Sequence, residues 1–133
     1  MLIHLDTSVL VSAFTGPRHS LAHVVSATQA GHVLTFCVVV HYEWLRGPRT
    51  PTEEELVRRF FGDDAVVAFG SREAQTAAAL YRRLKRARQR QADLVIAACA
   101  LEHNARFWTL NESDFADVPE LRLYHPPAAA RNP

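Results

Sequence analysis

Short apolar runs alternate with longer amphipathic stretches along the chain, and this alternation predicts an α/β fold. Five runs are predicted as strands, over 2–5, 33–36, 65–69, 106–110 and 121–124. The remaining stretches have helical spacing, and the predicted helices cover 7–14, 17–30, the latter part of 38–46, 52–61, 71–90 and 91–103. Thr52 and Ser71 are the predicted N-caps of the fourth and fifth helices. The β-branched start of the third helix also allows a strand, but Gly47-Pro48 is a typical helix stop.

The length of 133 residues corresponds to one domain. We expect this domain to cover 1–125 and to leave a flexible tail over 126–133, which has little to pack. No apolar run approaches the ~20 residues of a membrane helix, and the N-terminus has no secretory signal pattern. Cys37 and Cys99 lie in apolar runs, which indicates buried thiols in a reducing compartment. We therefore expect a cytoplasmic protein.

Acidic side chains stand where predicted strands give way to helices. Asp6 follows the first strand, and ligands of open α/β sheets collect at the carboxyl ends of strands. Taken alone, Asp6 is more simply explained as a helix N-cap, and the hydroxyls of Thr7 and Ser8 can cap the helix or hold Asp6 in place. Glu43 lies among apolar residues of a predicted helix, where a carboxylate needs a partner, a cation or a cleft.

Two further carboxylates complete a candidate site. Asp93 lies near the start of the helix over 91–103, where the helix dipole favours its ionised form, and Asp114 follows the fourth strand, with Asn111 close by. Four converging carboxylates stay ionised only with a compensating cation, and their hard oxygens select Mg²⁺ or Mn²⁺. Such ions can activate water for phosphodiester cleavage. We predict a metal at Asp6, Asp93 and Asp114, with Glu43 bound directly or through water.

Six of the nine residues over 82–90 are cationic. Two interpretations stay open, a solvated helix C-terminus stabilised by the helix dipole and a phosphate-binding rim. On a continuous helix Arg82, Arg86 and Arg90 share one face, which favours contacts with nucleic-acid phosphates or with an acidic segment of a partner protein. Because the formal net charge is only +1, binding of a polyanion depends on such a local patch.

His19 and His23 lie four residues apart, which is the spacing of paired metal ligands on a helix. No third ligand stands near them in the sequence. We therefore interpret both as surface histidines.

Four segments in this order resemble the PIN-domain ribonucleases: Leu-Asp-Thr-Ser-Val-Leu at 5–10, Tyr-Glu-Trp-Leu-Arg-Gly at 42–47, Asp-Leu-Val-Ile-Ala-Ala at 93–98 and Thr-Leu-Asn-Glu-Ser-Asp-Phe at 109–115. The resemblance extends to about Tyr124, and the short single-domain format is similar to VapC-type toxins of prokaryotic toxin–antitoxin pairs. It implies a three-layer α/β/α fold with a central, mainly parallel five-stranded sheet. It also implies Mg²⁺-dependent RNA cleavage, a homodimer and neutralisation by an antitoxin protein.

The resemblance assigns roles to individual residues. Asp6, Glu43, Asp93 and Asp114 match the acidic positions of the family. The supporting hydroxyls match Thr7 or Ser8, together with Thr109. Asn111 stands where many relatives have an acid, so whether Asn111 or Asp114 contacts the metal stays open.

Other classes of protein fit the sequence less well. A catalytically silent PIN-like module that binds RNA or protein is the main alternative, and loss of an acid would favour it. A phosphatase or dehalogenase with an aspartyl nucleophile usually has a catalytic lysine near a later strand, and the only lysine, Lys85, lies in the arginine run. No Gly-x-Gly-x-x-Gly follows the first strand, which argues against a Rossmann-type nucleotide site.

Apolar residues of the third and fourth predicted helices suggest self-association. They exceed what two short helices need in a monomer, so we expect a homodimer that uses some of them. The alternative is a wholly internal role for the set, which is Val38, Val39, Val40, Trp44, Phe60 and Phe61.

Overall fold

A sheet of four parallel strands forms the centre of the protein, as seen in a computed structural model that describes residues 1–128. The strands are β1 (Leu2–Leu5), β2 (Val33–Cys37), β3 (Val66–Val67) and β4 (Arg106–Trp108). Their order in the sheet is β3-β2-β1-β4, and every pairing is parallel. Of the tail predicted over 126–133, residues 129–133 lie outside the described part of the chain.

Six α-helices connect these strands within residues 1–128: α1 (Thr7–Phe14), α2 (Leu21–Gln29), α3 (Val38–Arg46), α4 (Pro51–Phe60), α5 (Ser71–Arg83) and α6 (Gln91–Glu102). Side chains of β1 alternate between the two faces of the sheet, and Ile3, His4 and Leu5 are each at most 1% exposed. Both faces of the sheet are therefore covered, in agreement with the predicted layered α/β architecture.

The strand order reverses at β1, because β2 and β3 lie on one side of it and β4 on the other. Such a reversal opens a crevice at the carboxyl ends of the two neighbouring strands, here β1 and β4. Asp6 directly follows β1, and Thr109 directly follows β4. The topology therefore brings together two residues that are far apart in the sequence.

The predicted fifth strand over 121–124 is wrong. This segment forms only an isolated parallel bridge between Leu123 and Phe107, flanked by hydrogen bonds from Phe107 N to Arg122 O (2.8 Å) and from Tyr124 N to Phe107 O (2.7 Å). The pairing is short because Glu120 has a left-handed backbone (φ 68°) just before it and Pro126 follows it. Strands β3 and β4 are also shorter than predicted. A 3₁₀ turn over Asp63–Ala65 takes up the start of the segment predicted as the third strand.

Helix α1 has the predicted bounds, whereas α2 and α4 begin at other residues and α5 begins at Ser71 as predicted but has a different N-cap. Helix α2 starts at Leu21 and not at Pro17, because Arg18 adopts a left-handed backbone conformation (φ 55°). Thr50 caps α4 in place of Thr52, in a capping box with Glu53 that leaves Pro51 at the first helical position. Gly70 and not Ser71 is the N-cap of α5.

The basic run is not one helix, which corrects the predicted shared face of Arg82, Arg86 and Arg90. Helix α5 ends at Arg83, Arg86 has a left-handed backbone (φ 54°), and Ala87–Arg90 forms a 3₁₀ turn that leads into α6. Because the helix ends before Arg86, the three arginines do not share one helical face.

Much of the apolar set assigned to a homodimer belongs to the core. Val40 and Trp44 are at most 1% exposed, and Phe61 is 8% exposed and packs its ring edge-on against Phe36. Of that set only Val38, at 41%, is exposed.

The two predicted buried thiols, Cys37 and Cys99, are confirmed as buried and free. Among residues 1–128 there is no helix with the length and apolar character needed to cross a membrane.

Candidate functional site: a carboxylate cleft at the switch point

Asp6 is both the N-cap of α1 and the most heavily hydrogen-bonded carboxylate of the site, so the two interpretations of this residue are compatible. Its Oδ1 accepts the backbone N–H of Thr7 at 2.9 Å. Its Oδ2 accepts the hydroxyls of Ser8 at 2.9 Å and Thr109 at 2.7 Å. Burial raises the pKa of Asp6, and these three hydrogen bonds oppose that rise because they stabilise the ionised form.

The two hydroxyls fix the chain after β4 around Asp6. Ser8 Oγ accepts the N–H of Leu110 at 3.1 Å, and Thr109 Oγ1 accepts the N–H of Asn111 at 3.0 Å. Since each hydroxyl has one proton and donates it to Asp6, its oxygen is free to accept the backbone amide. The carboxylate therefore organises the segment that leads to Asp114.

Glu43 reaches the same site from α3, where the sequence predicted that it needs a partner. Thr7 Oγ1 donates to Glu43 Oε1 at 2.6 Å, and Arg46 lies 3.7 Å from Glu43 Oε2. The side chain of Glu43 remains 21% exposed and that of Arg46 58%. The ion pair is accordingly weak, and Glu43 stays open to a ligand.

Asp93 lies at the electrostatic centre of the cleft, in the first turn of α6. Burial, and after it the negative charges of Asp6, Asp114 and Glu43, raise the pKa of Asp93 to about 6. Arg90 opposes the shift. The four predicted acids are therefore close enough to influence one another, although Asp114 itself is exposed in a 3₁₀ turn over Glu112–Phe115.

Two adjoining cavities open around Asp93, which lines both of them. The first, of about 600 Å³, is lined by Asp6, Glu43 and Asp93 together with Thr7, Ser8, Val11, Ser12, Thr15, Pro17, His19, Leu110 and Asn111. The second, of about 590 Å³, is lined by Asp93 and Asp114 together with Arg86, Gln89, Arg90, Ser113, Ala116 and Asp117. Both volumes lie in the range of ligand-binding clefts.

Arg90 does not project outward as the prediction of a phosphate contact requires. Its side chain is 14% exposed and forms a two-pronged ion pair with Asp117, with Nη1 and Nη2 donating at 2.8 and 2.7 Å. Nη2 also donates to the carbonyl of Asp114 at 2.7 Å, and Nη1 to that of Lys85 at 3.3 Å. Arg90 thus joins the start of α6, which contains Asp93, to the turn that contains Asp114.

The donor chemistry of the cleft fits a hard divalent cation, because carboxylate oxygens line the cleft. The two arginines that line it, Arg86 and Arg90, compensate only part of the negative charge. Within residues 1–128, no group of three or more His, Cys, Asp or Glu side chains is arranged to hold a metal ion. Mg²⁺ usually keeps several waters and uses one or two carboxylates. The arrangement fits a partly hydrated ion, and three direct protein ligands would require side-chain movement.

Sequence reasoning missed two features of the cleft. His19 is exposed, as interpreted, but it also lines the cavity that contains Asp6 and Glu43. Arg90 is an internal link and not a free cation. A signal for His19 was available, since it belongs to the loop after the helix that Asp6 caps, whereas no local pattern predicts the pairing of Arg90 with Asp117.

The fold and this cleft define an α/β protein with an acidic site at the switch point of a parallel sheet. The family model of the PIN domain matches residues 3–121. The chain therefore belongs to the PIN-domain family.

Solved structures with the same fold share little sequence with this chain. VapBC2 from Rickettsia felis, bound to a DNA fragment from their promoter, is 19% identical with a TM-score of 0.72, covering 93% of this chain and 98% of that chain. DNA-bound VapBC from Salmonella typhimurium is 18% identical with a TM-score of 0.73 and the same coverage of 93% and 98%. A toxin–antitoxin complex from Klebsiella pneumoniae is 22% identical, with a TM-score of 0.66 and coverage of 93% and 97%. Comparison with the curated proteins gives no match.

Proposed function

We propose that the protein is a metal-dependent endoribonuclease of the VapC type, which cleaves RNA phosphodiester bonds as the toxin of a toxin–antitoxin pair. The observation that carries the proposal is the convergence of Asp6, Glu43, Asp93 and Asp114, from four separate segments, on two cavities that meet at Asp93. Membership of the PIN-domain family adds support, because the activity of that family requires such a set of acids.

The carboxylates divide the work between them. Asp6, Asp93 and Asp114 would hold Mg²⁺ or Mn²⁺, with Glu43 bound directly or through water, and the ion would supply an activated water and charge stabilisation. Asp6 is held rigidly by Thr7, Ser8 and Thr109, as a ligand of fixed geometry should be. Asn111, which lines the cavity beside Asp6, is the neutral neighbour that could share the role of Asp114.

We include a cognate antitoxin and a homodimer in the proposal. The similar structure from Klebsiella pneumoniae is described as a toxin–antitoxin complex, which supports an antitoxin partner. On α3, Val38, Tyr42 and Leu45 are 41%, 60% and 52% exposed and form an apolar stripe suited to association. Light scattering at micromolar protein should give twice the chain mass of 14.9 kDa, and a value of only 14.9 kDa would contradict the dimer.

The test of the proposed activity is single-turnover cleavage of a structured RNA with Mg²⁺ or Mn²⁺, with EDTA as the blank. Asp6→Asn and Asp93→Asn should each reduce the cleavage rate by at least ~10²-fold, the scale of losing one electrostatic stabiliser of a transition state. Glu43→Gln should behave alike, and Asp114→Asn should be milder. Asp63→Asn, an exposed acid outside both cavities, is the matched control.

Metal binding gives a second readout of the same variants. Mn²⁺ should raise the melting temperature of the wild-type protein, because a ligand that binds only the native state stabilises it. Asp6→Asn should fold and lose this shift. Cleavage that survives EDTA, or equal cleavage by wild type and Asp6→Asn, would favour the alternative, a PIN-like module that binds RNA or protein without cutting it.

A further inference from the structure

Each of the two cavities of the carboxylate cleft is lined by a basic side chain that has no role in the proposed chemistry. These side chains are His19 and Arg86. We call the cavity beside Asp6 and Glu43 the His19 arm, and the cavity beside Asp114 the Arg86 arm; they meet at Asp93. We propose that one single-stranded RNA segment lies across both arms, with His19 and Arg86 binding the phosphates on either side of the bond to be cut. This inference rests on the proposed ribonuclease function.

His19 is the only residue lining its arm whose side chain can become positively charged. The other polar groups there are carboxylates, hydroxyls and the amide of Asn111. An imidazole always has at least one N–H to donate to an anionic oxygen, and a protonated imidazole adds a positive charge that glutamine cannot supply. An RNA phosphate entering this arm therefore has one basic side chain to bind.

The loop that presents His19 is fixed to α1. Arg18 donates its backbone N–H to Thr15 O at 3.1 Å, and Ser20 donates its own to Ser12 O at 3.3 Å. The hydroxyls of Ser12 and Ser20 also hydrogen-bond at 2.7 Å, and Ser20 is buried. His19 lies between these anchors, so the fold sets its position at the cavity.

In the other arm, Arg86 is the cation available to a ligand. Arg90 already pairs with Asp117 and with two carbonyl groups. Arg86 is exposed and forms no ion pair with any residue in the described part of the chain. Its left-handed backbone (φ 54°) places it at the corner between α5 and the 3₁₀ turn, away from the face of α5. Of the three arginines predicted to contact phosphates, Arg86 is the one that lines the cleft and has no ion-pair partner among the described residues.

The volumes of the two arms and the shared position of Asp93 suit an RNA strand that crosses the cleft. The His19 arm has a volume of about 600 Å³ and the Arg86 arm about 590 Å³, and Asp93 lines both, so a ligand that spans the two arms passes Asp93. A strand bound at both ends would place an intervening phosphodiester at Asp93. Binding of the flanking phosphates would also position the reacting bond, which is how remote contacts assist catalysis.

The experiment measures binding of fluorescent single-stranded oligoribonucleotides to the non-cleaving Asp6→Asn protein in Mg²⁺ buffer. His19→Gln and Arg86→Gln should each raise the Kd of an octanucleotide about fivefold, the scale of an exposed charge-assisted hydrogen bond. Their effects should multiply in the double variant, since the sites are separate. Arg86→Gln should also reduce the salt slope of log K by ~0.7. A dinucleotide, too short for both arms, should be insensitive to at least one substitution.

His23→Gln and Arg72→Gln are the matched controls, because neither residue lines either arm, and both should leave the Kd unchanged. In the otherwise wild-type enzyme, His19→Gln and Arg86→Gln should raise KM more than they lower kcat. Unchanged Kd and KM in an enzyme that still cleaves RNA would overturn this inference alone. A protein that neither binds nor cleaves RNA would overturn both this inference and the proposed function.

Discussion

Two buried titratable groups, His4 and Asp6, lie two residues apart in the chain and have opposite surroundings. Both are nearly inaccessible, with His4 1% and Asp6 6% exposed. Asp6 has three hydrogen-bond donors, whereas neither ring nitrogen of His4 has a partner. Burial and then the nearby His103 lower the pKa of His4 to about 4, so it is neutral at physiological pH. Burial raises the pKa of Asp6, but its hydrogen bonds favour the ionised form.

Burial alone therefore does not mark a functional group. His4 belongs to a closed cluster, in which its ring lies 5.4 Å from that of His103, and His103 Nε2 lies 3.1 Å from Glu73 Oε1. Asp6 opens onto a cavity of about 600 Å³ and is held by partners that favour its charge. Access and partners together distinguish the carboxylate cleft from the cluster around His4.

The largest expected effect concerns acid stability and His4. Because the pKa of His4 is lower in the folded protein (about 4) than in the unfolded chain (6.5), the unfolded state binds the proton first. The free energy of unfolding should therefore fall as pH falls from about 6.5 to about 4, by about 3 kcal/mol from this group. His4→Leu should remove that loss.

Denaturant melts of wild type and His4→Leu across this pH range provide the measurement. The contribution of Asp93 has the opposite sign, since its raised pKa of about 6 makes the folded state bind protons first, but it cancels in the difference between the two proteins. A difference that stays constant with pH would mean that His4 is not kept neutral by burial, and the contrast with Asp6 would then fail.

The next effect tests whether the cleft depends on the link through Arg90. Arg90→Lys keeps a positive charge near Asp93 but cannot reproduce the two-pronged pair with Asp117. We expect a loss of about 2 kcal/mol in stability and roughly tenfold slower cleavage, because the turn with Asp114 is no longer tied to α6.

A double-mutant cycle with Asp117→Asn measures the link directly. Asp117 is 48% exposed, so we expect a coupling free energy of only about 1 kcal/mol. Zero coupling would show that Arg90 contributes through its bonds to the carbonyls of Asp114 and Lys85 alone.

The parts of the fold that depend on local patterns were predictable from the sequence. Helix α1 has the predicted bounds over Thr7–Phe14, because Asp6 caps it and Thr15-Gly16 ends it. Asp93 lies in the first turn of α6, as its position in the apolar helical pattern predicted. Caps, breakers and periodicity are properties of neighbouring residues, so a single sequence displays them.

The parts that depend on distant contacts were not predictable. The basic run has strong helical composition, yet Arg86 is left-handed and Arg90 turns inward to Asp117, 27 residues further along the chain. The segment over 121–124 has an apolar pattern typical of a strand but pairs at one bridge only. The pairing of Arg90 is a tertiary contact that overrides local propensity, whereas the segment over 121–124 is cut short by the left-handed Glu120 and by Pro126.

The smallest expected effect separates the two hydroxyls that hold Asp6. Thr109 is 4% exposed and donates at 2.7 Å, whereas Ser8 is half-buried and donates at 2.9 Å to the same oxygen. Thr109→Val keeps the shape of the side chain but removes the donor and strands the N–H of Asn111, so we expect a loss of about 1 kcal/mol. Ser8→Ala should cost less, because water can reach its site. Thr109→Ser should restore most of the loss, since it returns the hydroxyl. Chemical denaturation of the three variants gives the order, and a larger loss for Ser8→Ala than for Thr109→Val would show that the more accessible hydroxyl, and not the buried one, holds the carboxylate.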